Sequence, residues 1–176
     1  MRKHAPRLHT DRYLGRQRYF LTICTFKRQC HFLDATIVEI CLDHFLRIAA
    51  AEYMAVTAYC FMPDHVHLLA EGTEAAADMT RFVERAKQKT GYALRGVAEQ
   101  QLWQPGWFDR ILRESDDLKD ALRYLLNNPV RAGLVENAAD YRFSGSGVVS
   151  REALFESAFE IRASLRGGGG CSPHPT

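Results

Sequence analysis

No apolar run in this chain approaches the ~18 residues that a membrane-spanning helix requires, which excludes an ordinary transmembrane helix. The opening Met1-Arg2-Lys3-His4 leads into a polar segment where a secretory signal would place an apolar core, so a cytoplasmic protein with no membrane partner is expected. Cysteine is present without C-x-x-C spacing. Cys24, Cys30, Cys41, Cys60 and Cys171 are odd in number, and the first four lie in apolar segments, so they read as reduced core residues and not as staples or zinc ligands. Acidic residues are nearly missing from the start of the chain, where Asp11 alone faces Arg2, Lys3, Arg7, Arg12, Arg16, Arg18, Lys27 and Arg28. The net charge is only +2, yet residues 1–18 form a basic arm. With Tyr13, Tyr19 and Phe20 interleaved, such a block suits phosphate contacts and base stacking, although a solvated terminus can look the same.

The 176 residues, 47% of them hydrophobic, are enough for one domain with a real core. Residues 19–26 are rich in β-branched and aromatic side chains and predict a first strand. Ile37, Cys41, Phe45 and Ile48 recur at helical spacing and predict a helix over residues 35–51. Residues 54–61 predict a second strand, Met62-Pro63-Asp64 a tight turn, and residues 65–70 a third strand closing a hairpin. Residues 78–94 predict a second helix buried through Met79, Phe82, Val83 and Ala86, its other side carrying Arg81, Arg85, Gln88 and Lys89. Residues 108–112 predict a fourth strand. Ser115 caps a third helix, acidic in its first turn, that Pro129 stops. This order predicts an α+β fold: a ferredoxin-like, RRM-like antiparallel sheet with helices on one face and an added C-terminal helix. Residues 19–145 form the domain. Residues 146–176 read as a weakly structured extension with a possible short helix over 153–165 and a disordered glycine-rich tail from Gly167.

Two places carry chemistry. His65 and His67 are two apart in a strand, so both imidazoles point to one side of the sheet, while Val66 and Leu68 fill the other. Seven histidines in 176 residues give about 0.3 chance pairs at this spacing, so the pair takes its weight from its position after the turn. Tyr124 and Asn128, four apart on the third helix, share a face. The apolar stripe of that helix is Leu118, Ala121, Leu122, Leu125 and Leu126, and Tyr124 lies about 130° from its centre at ~100° per residue. Tyr124 therefore stands off the core.

Three ordered motifs resemble those of the REP-associated tyrosine transposases, single-tyrosine enzymes with a His-hydrophobic-His (HUH) motif and kin of the IS200-like transposases. They are Tyr59-Cys60-Phe61-Met62-Pro63-Asp64-His65-Val66-His67-Leu68-Leu69, Trp103-Gln104-Pro105-Gly106-Trp107-Phe108-Asp109-Arg110 and Tyr124-Leu125-Leu126-Asn127-Asn128-Pro129-Val130-Arg131-Ala132-Gly133-Leu134-Val135. The likeness runs from about Tyr19 to Ser144, and Asp64 departs from the asparagine common before the first histidine. It implies Tyr124 as nucleophile, His65 and His67 as metal ligands, and Asn128 as the third ligand. It further implies Mg²⁺ or Mn²⁺ as cofactor, and 5′-phosphotyrosine and 3′-OH as cleavage products. The implied substrate is single-stranded DNA carrying a REP-type hairpin, handled by a nucleoid-associated monomer or homodimer.

The chemistry has its own logic. A phenol with a reference pKa near ~10 is a weak nucleophile at neutral pH and needs an electrophile activated by charge withdrawal. A divalent cation held by neutral imidazoles and an amide oxygen keeps its full charge for that purpose. One phosphodiester replaces another, so no nucleotide triphosphate is needed. Arg12, Arg16, Arg18, Arg81, Arg85, Lys87, Lys89 and Arg110 are the candidates for holding DNA. Two other classes fit less well. A non-catalytic hairpin-binding module would not need the four site residues, and a histidine-triad hydrolase would need a histidine where Leu69 stands.

Overall fold

The alternation of Val66, Leu68 and Ala70 with His65, His67 and Leu69 decides the architecture, because it gives the third strand two faces with different tasks. The structure is a computed structural model and describes residues 13–96, 101–113 and 115–159, the side chains of 115–117 excepted. The basic arm up to Arg12 and the glycine-rich tail lie outside the described residues. The elements are β1 (Arg18–Cys24), α1 (Ala35–Ala51), β2 (Met54–Met62), β3 (His65–Gly72), α2 (Met79–Ala93), β4 (Phe108–Leu112), α3 (Ser115–Arg131), β5 (Ser144–Gly145) and α4 (Arg151–Phe159).

The strands form one sheet in the order β4-β1-β3-β2-β5, every neighbouring pair antiparallel. The first four have the ferredoxin-like order. On one face, Tyr19, Leu21 and Ile23 of β1 and Val66, Leu68 and Ala70 of β3 pack against Cys41 and Phe45 of α1 and Phe82, Val83 and Ala86 of α2. On the other, Ala58, Cys60 and Leu69 meet Ala121, Leu125 and Leu126 of α3 and Leu154 and Phe155 of α4. The added helix thus lies opposite α1 and α2, and the sheet is the middle layer of three.

Local signals explain most boundaries. Asp34 accepts from the Thr36 amide at 2.8 Å and Asp78 from the Arg81 amide at 2.9 Å, so α1 and α2 begin where a carboxylate serves an orphan N–H. Contrary to expectation, Pro129 does not stop α3, which continues to Arg131. Its missing N–H leaves the Leu125 carbonyl without its usual helical donor. The Asn128 amide nitrogen reaches that carbonyl at 3.5 Å while donating to the Tyr124 carbonyl at 2.7 Å, and the chain turns out through Gly133 at φ 70°. β5 was not foreseen, since two residues are too few for an alternating pattern. The short helix expected over 153–165 is α4 over 151–159, which buries Leu154, Phe155 and Ala158 and is tied to α3 by Arg123 donating to the Ala158 carbonyl at 2.7 Å.

Gly72 ends β3 against the chain entering β1, its amide donating to the Gln17 carbonyl at 2.9 Å. A methyl group there would collide with the Gly15 carbonyl and come within 3.0 Å of the Ala77 Cβ, and both neighbours are held by backbone. Gly72→Ala is expected to destabilise the fold by about 1–3 kcal/mol, the usual range for overpacking a filled space. Urea unfolding followed by circular dichroism reads this as a lower midpoint at constant slope, and an unchanged midpoint would contradict it.

Candidate active site

β3 presents His65 and His67 on the face that α3 covers, and the hairpin turn at Pro63-Asp64 sets their depth. Their Nε2 atoms converge at 3.0 Å with rings nearly perpendicular. Each Nδ1 has its own oxygen partner: Asp64 Oδ1 at 2.6 Å from His65 and Thr22 Oγ1 at 2.9 Å from His67. With both Nδ1 atoms protonated and donating, both Nε2 lone pairs point into the same space. That is the donor arrangement a divalent cation takes from two imidazoles, each oriented by an outer oxygen. Among the described residues no group of three or more histidine, cysteine or carboxylate side chains could hold a metal, so a third donor would be an amide or the substrate. Asn128, whose nitrogen is engaged by its own helix, has Oδ1 to offer.

Burial keeps the pair neutral. Desolvation pushes the His67 pKa down to about 3, with the neighbouring His65 adding to the effect. His65 is also pushed down by desolvation, opposed by its hydrogen bond to Asp64. Arg28 anchors the turn by donating from Nε to Asp64 Oδ2 at 2.6 Å and from a terminal nitrogen to Cys24 Sγ at 2.8 Å. It reaches both from a kink in which Lys27 and Arg28 take φ of 52° and 60°. Positive φ is unusual for such residues and is held here by the surrounding contacts.

α3 brings Tyr124 to the same place. Its ring centroid lies 6.3 Å from that of His67 and 5.8 Å from that of Phe20, which itself lies 5.3 Å from His67. Tyr124 is 44% exposed, so the ring is fixed on one side and open on the other. The Arg131 guanidinium sits over it at 4.9 Å. The structure therefore gathers His65, His67 and Tyr124, with Asn128 one turn further along the same helix. Leu69, where a histidine triad would need its third member, is buried in the core.

The basic candidates are placed differently. Arg81 Nε donates to Glu52 at 2.7 Å and Arg85 pairs with the other oxygen of that carboxylate, which is 1% exposed. Lys87 donates to the carbonyls of Gln104 and Gly106 at 2.8 and 2.7 Å. Arg16 and Arg18 pair with Glu74 and Glu71 at the surface. Lys89 is exposed on α2, Arg110 is exposed on β4 beside Tyr124, and Arg12 lies outside the described residues. Thr22 and Arg131 are not among the sequence candidates, and Phe20 and Arg28 fall there with the basic N-terminal block, for base stacking and phosphate contacts, not as neighbours of the histidines. Thr22 and Phe20 share the i, i+2 face of β1, a signal equal to that of the histidines but carried by common residue types.

A family profile described as Transposase IS200 like matches residues 15–128. The chain is 28% identical over 137 residues to a protein of Haemophilus influenzae named as a REP-associated tyrosine transposase, covering 72% of this chain and 77% of that one. It is 23% identical over 133 residues to the REP-associated tyrosine transposase of Escherichia coli K12, covering 75% and 78%. Its fold is similar to that of a REP-associated tyrosine transposase solved with a REP hairpin, with a TM-score of 0.69 at 20% identity and coverage of 81% and 82%. With a profile match over most of its length, the chain belongs to the IS200-like transposase family.

Proposed function

We propose that this transposase cleaves and rejoins single-stranded DNA beside a REP-type hairpin, with Tyr124 as nucleophile. The observation that carries the reading is the packing of the Tyr124 ring, through Phe20, against the paired imidazoles. Similarity to proteins named as REP-associated tyrosine transposases, one of them solved on a REP hairpin, supports the substrate.

The Tyr124 oxygen attacks phosphorus, the new bond to tyrosine forms as the bond to the 3′ oxygen breaks, and the phenol proton leaves so that the departing oxygen ends as 3′-OH. The 5′ end stays on the protein as a phosphotyrosine. Attack by another 3′-OH reverses the step and completes strand transfer without a nucleotide triphosphate. His65, His67 and Asn128 Oδ1 would hold Mg²⁺ or Mn²⁺, which supplies charge withdrawal from the phosphate and stabilises the leaving oxygen. Thr22 and Asp64 keep the imidazoles turned so that both Nε2 atoms face one shared space. Arg131, over the Tyr124 ring, is positioned to balance phosphate charge. Phe20 excludes water from one side of the nucleophile. A substrate that is bent and unpaired at the cleaved bond suits this narrow seat, because a duplex would hold its phosphates away from it.

Tyr124→Phe is expected to abolish the covalent protein–DNA adduct formed with hairpin-tailed single strands in Mn²⁺, while hairpin affinity stays within about threefold, less than 1 kcal/mol. Denaturing gels and a filter-binding titration read the two quantities. Strand scission retained in that variant would transfer the role to another side chain. His67→Ala, or excess chelator with the native chain, is expected to lower the adduct rate by at least about 100-fold, on the scale of losing a central electrostatic stabiliser. Full activity in chelator would rule out the cation.

A further inference from the structure

α3 covers only part of its face of the sheet. The strip over β4 and β1 stays open: Arg110 stands beside Phe20 and Phe108 beside Thr22 in register, and Phe108 is 49% exposed. In that strip lies a cavity of about 380 Å³ lined by Phe20, Arg110, Asp120, Ala121 and Tyr124. Its walls are two aromatic rings 5.8 Å apart, centre to centre, and a small helical residue, with a guanidinium and a carboxylate among the lining. The size falls in the ~300–1,000 Å³ range of pockets that take a ring-bearing ligand.

We infer that this cavity is a nucleobase pocket for the nucleotide next to the phosphodiester that Tyr124 attacks. The inference rests on the proposed cleavage reaction for its position, because Tyr124 is itself a wall and whatever fills the cavity lies beside the nucleophile. Three features fit a base. Phe20 offers an aromatic surface for stacking, which every base accepts. Arg110, among the lining, brings the guanidinium donors with which arginine reads acceptors on a base edge. Asp120 accepts from an exocyclic amine or ring N–H. Phe108, on the same strip, extends the aromatic surface by one further step along the strand. The base is therefore held by the protein at the cleaved position, and Arg110 carries the preference among bases there.

The test uses the full chain carrying Tyr124→Phe, which keeps the ring and removes the hydroxyl, and hairpin-tailed single strands with 2-aminopurine walked along the tail. One or two adjacent positions are expected to lose at least about half their emission on binding through aromatic stacking. Adding Phe20→Leu is expected to restore emission at those positions and no others. With Tyr124 intact, changing the base there is expected to alter the adduct rate by about tenfold or more, and Arg110→Ala to flatten that difference to about twofold. Absence of any quenched position, or the same base preference in Arg110→Ala, overturns the pocket. Should Phe20→Leu fail to fold by circular dichroism, Arg110→Ala on the exposed strand decides alone, read by its effect on emission at the quenched positions. The emission profile needs no cleavage, so a chain that forms no adduct but quenches one position would sink the reaction and keep the pocket.

Discussion

The pleat of β3 is the constraint on which the rest depends. A strand turns successive side chains to opposite faces, and a slip of one residue would exchange them all. Here that exchange would put His65 and His67 into the core beneath α1 and α2 and expose Val66, Leu68 and Ala70. The register is pinned on both sides, by seven antiparallel pairs with β1 and by eight with β2 across one irregularity near Thr57. The hydrophobic core of one face thus fixes the polar chemistry of the other.

Neutrality of the two imidazoles follows from that placement. His67 is 6% exposed, beneath Phe20 and beside Tyr124, where a proton on Nε2 would sit in low dielectric against its neighbour. Asp64 and Thr22 take the opposite ring nitrogens, so the lone pairs face inward without cost to hydrogen bonding. The carboxylate at 64 accepts from His65 and Arg28 together. An asparagine has one acceptor oxygen and could not serve both in this way. The kink that brings Arg28 back over the turn makes sense in those terms.

Much of this was legible from residue patterns. The helices α1 and α2 follow from apolar spacing, and β4 and the hairpin from alternation and a proline turn. Tyr124 stood off its helix's apolar stripe by angle alone, and it does emerge beside the histidines. What stayed hidden depends on tertiary neighbours. Nothing local says that Thr22 will stand opposite His67, because that pairing is a fact of the β1–β3 register. Pro129 marks a helix end by propensity, yet the turn continues through backbone bonds beyond it, from the Ala132 amide to the Asn128 carbonyl and from the Leu134 amide to the Pro129 carbonyl. β5 carries too few residues for periodicity and is stabilised by what it packs on, whereas α4, over 151–159, falls on the short helix expected over 153–165.

The placement of charge changes where DNA can approach. From composition, α2 with Arg81, Arg85, Lys87 and Lys89 looks like the phosphate-binding face. In the fold, Arg81 and Arg85 share Glu52, and a carboxylate that buried needs positive partners to be tolerated at all. Lys87 holds the loop before β4 by its carbonyls. These cations join α2 to the end of α1 and to the loop; Glu52 offsets one of the two arginine charges, while Lys87 keeps its charge against neutral carbonyls. On the opposite face, Arg110 and Arg131 border Tyr124 with an aromatic surface between them. Phosphate attraction falls off within about 10 Å at moderate salt, so charge beside Tyr124, the proposed nucleophile, counts for more than charge on the far layer. The face of the sheet that α3 leaves open is thus the side from which the proposed single-stranded substrate would reach both the imidazoles and the tyrosine.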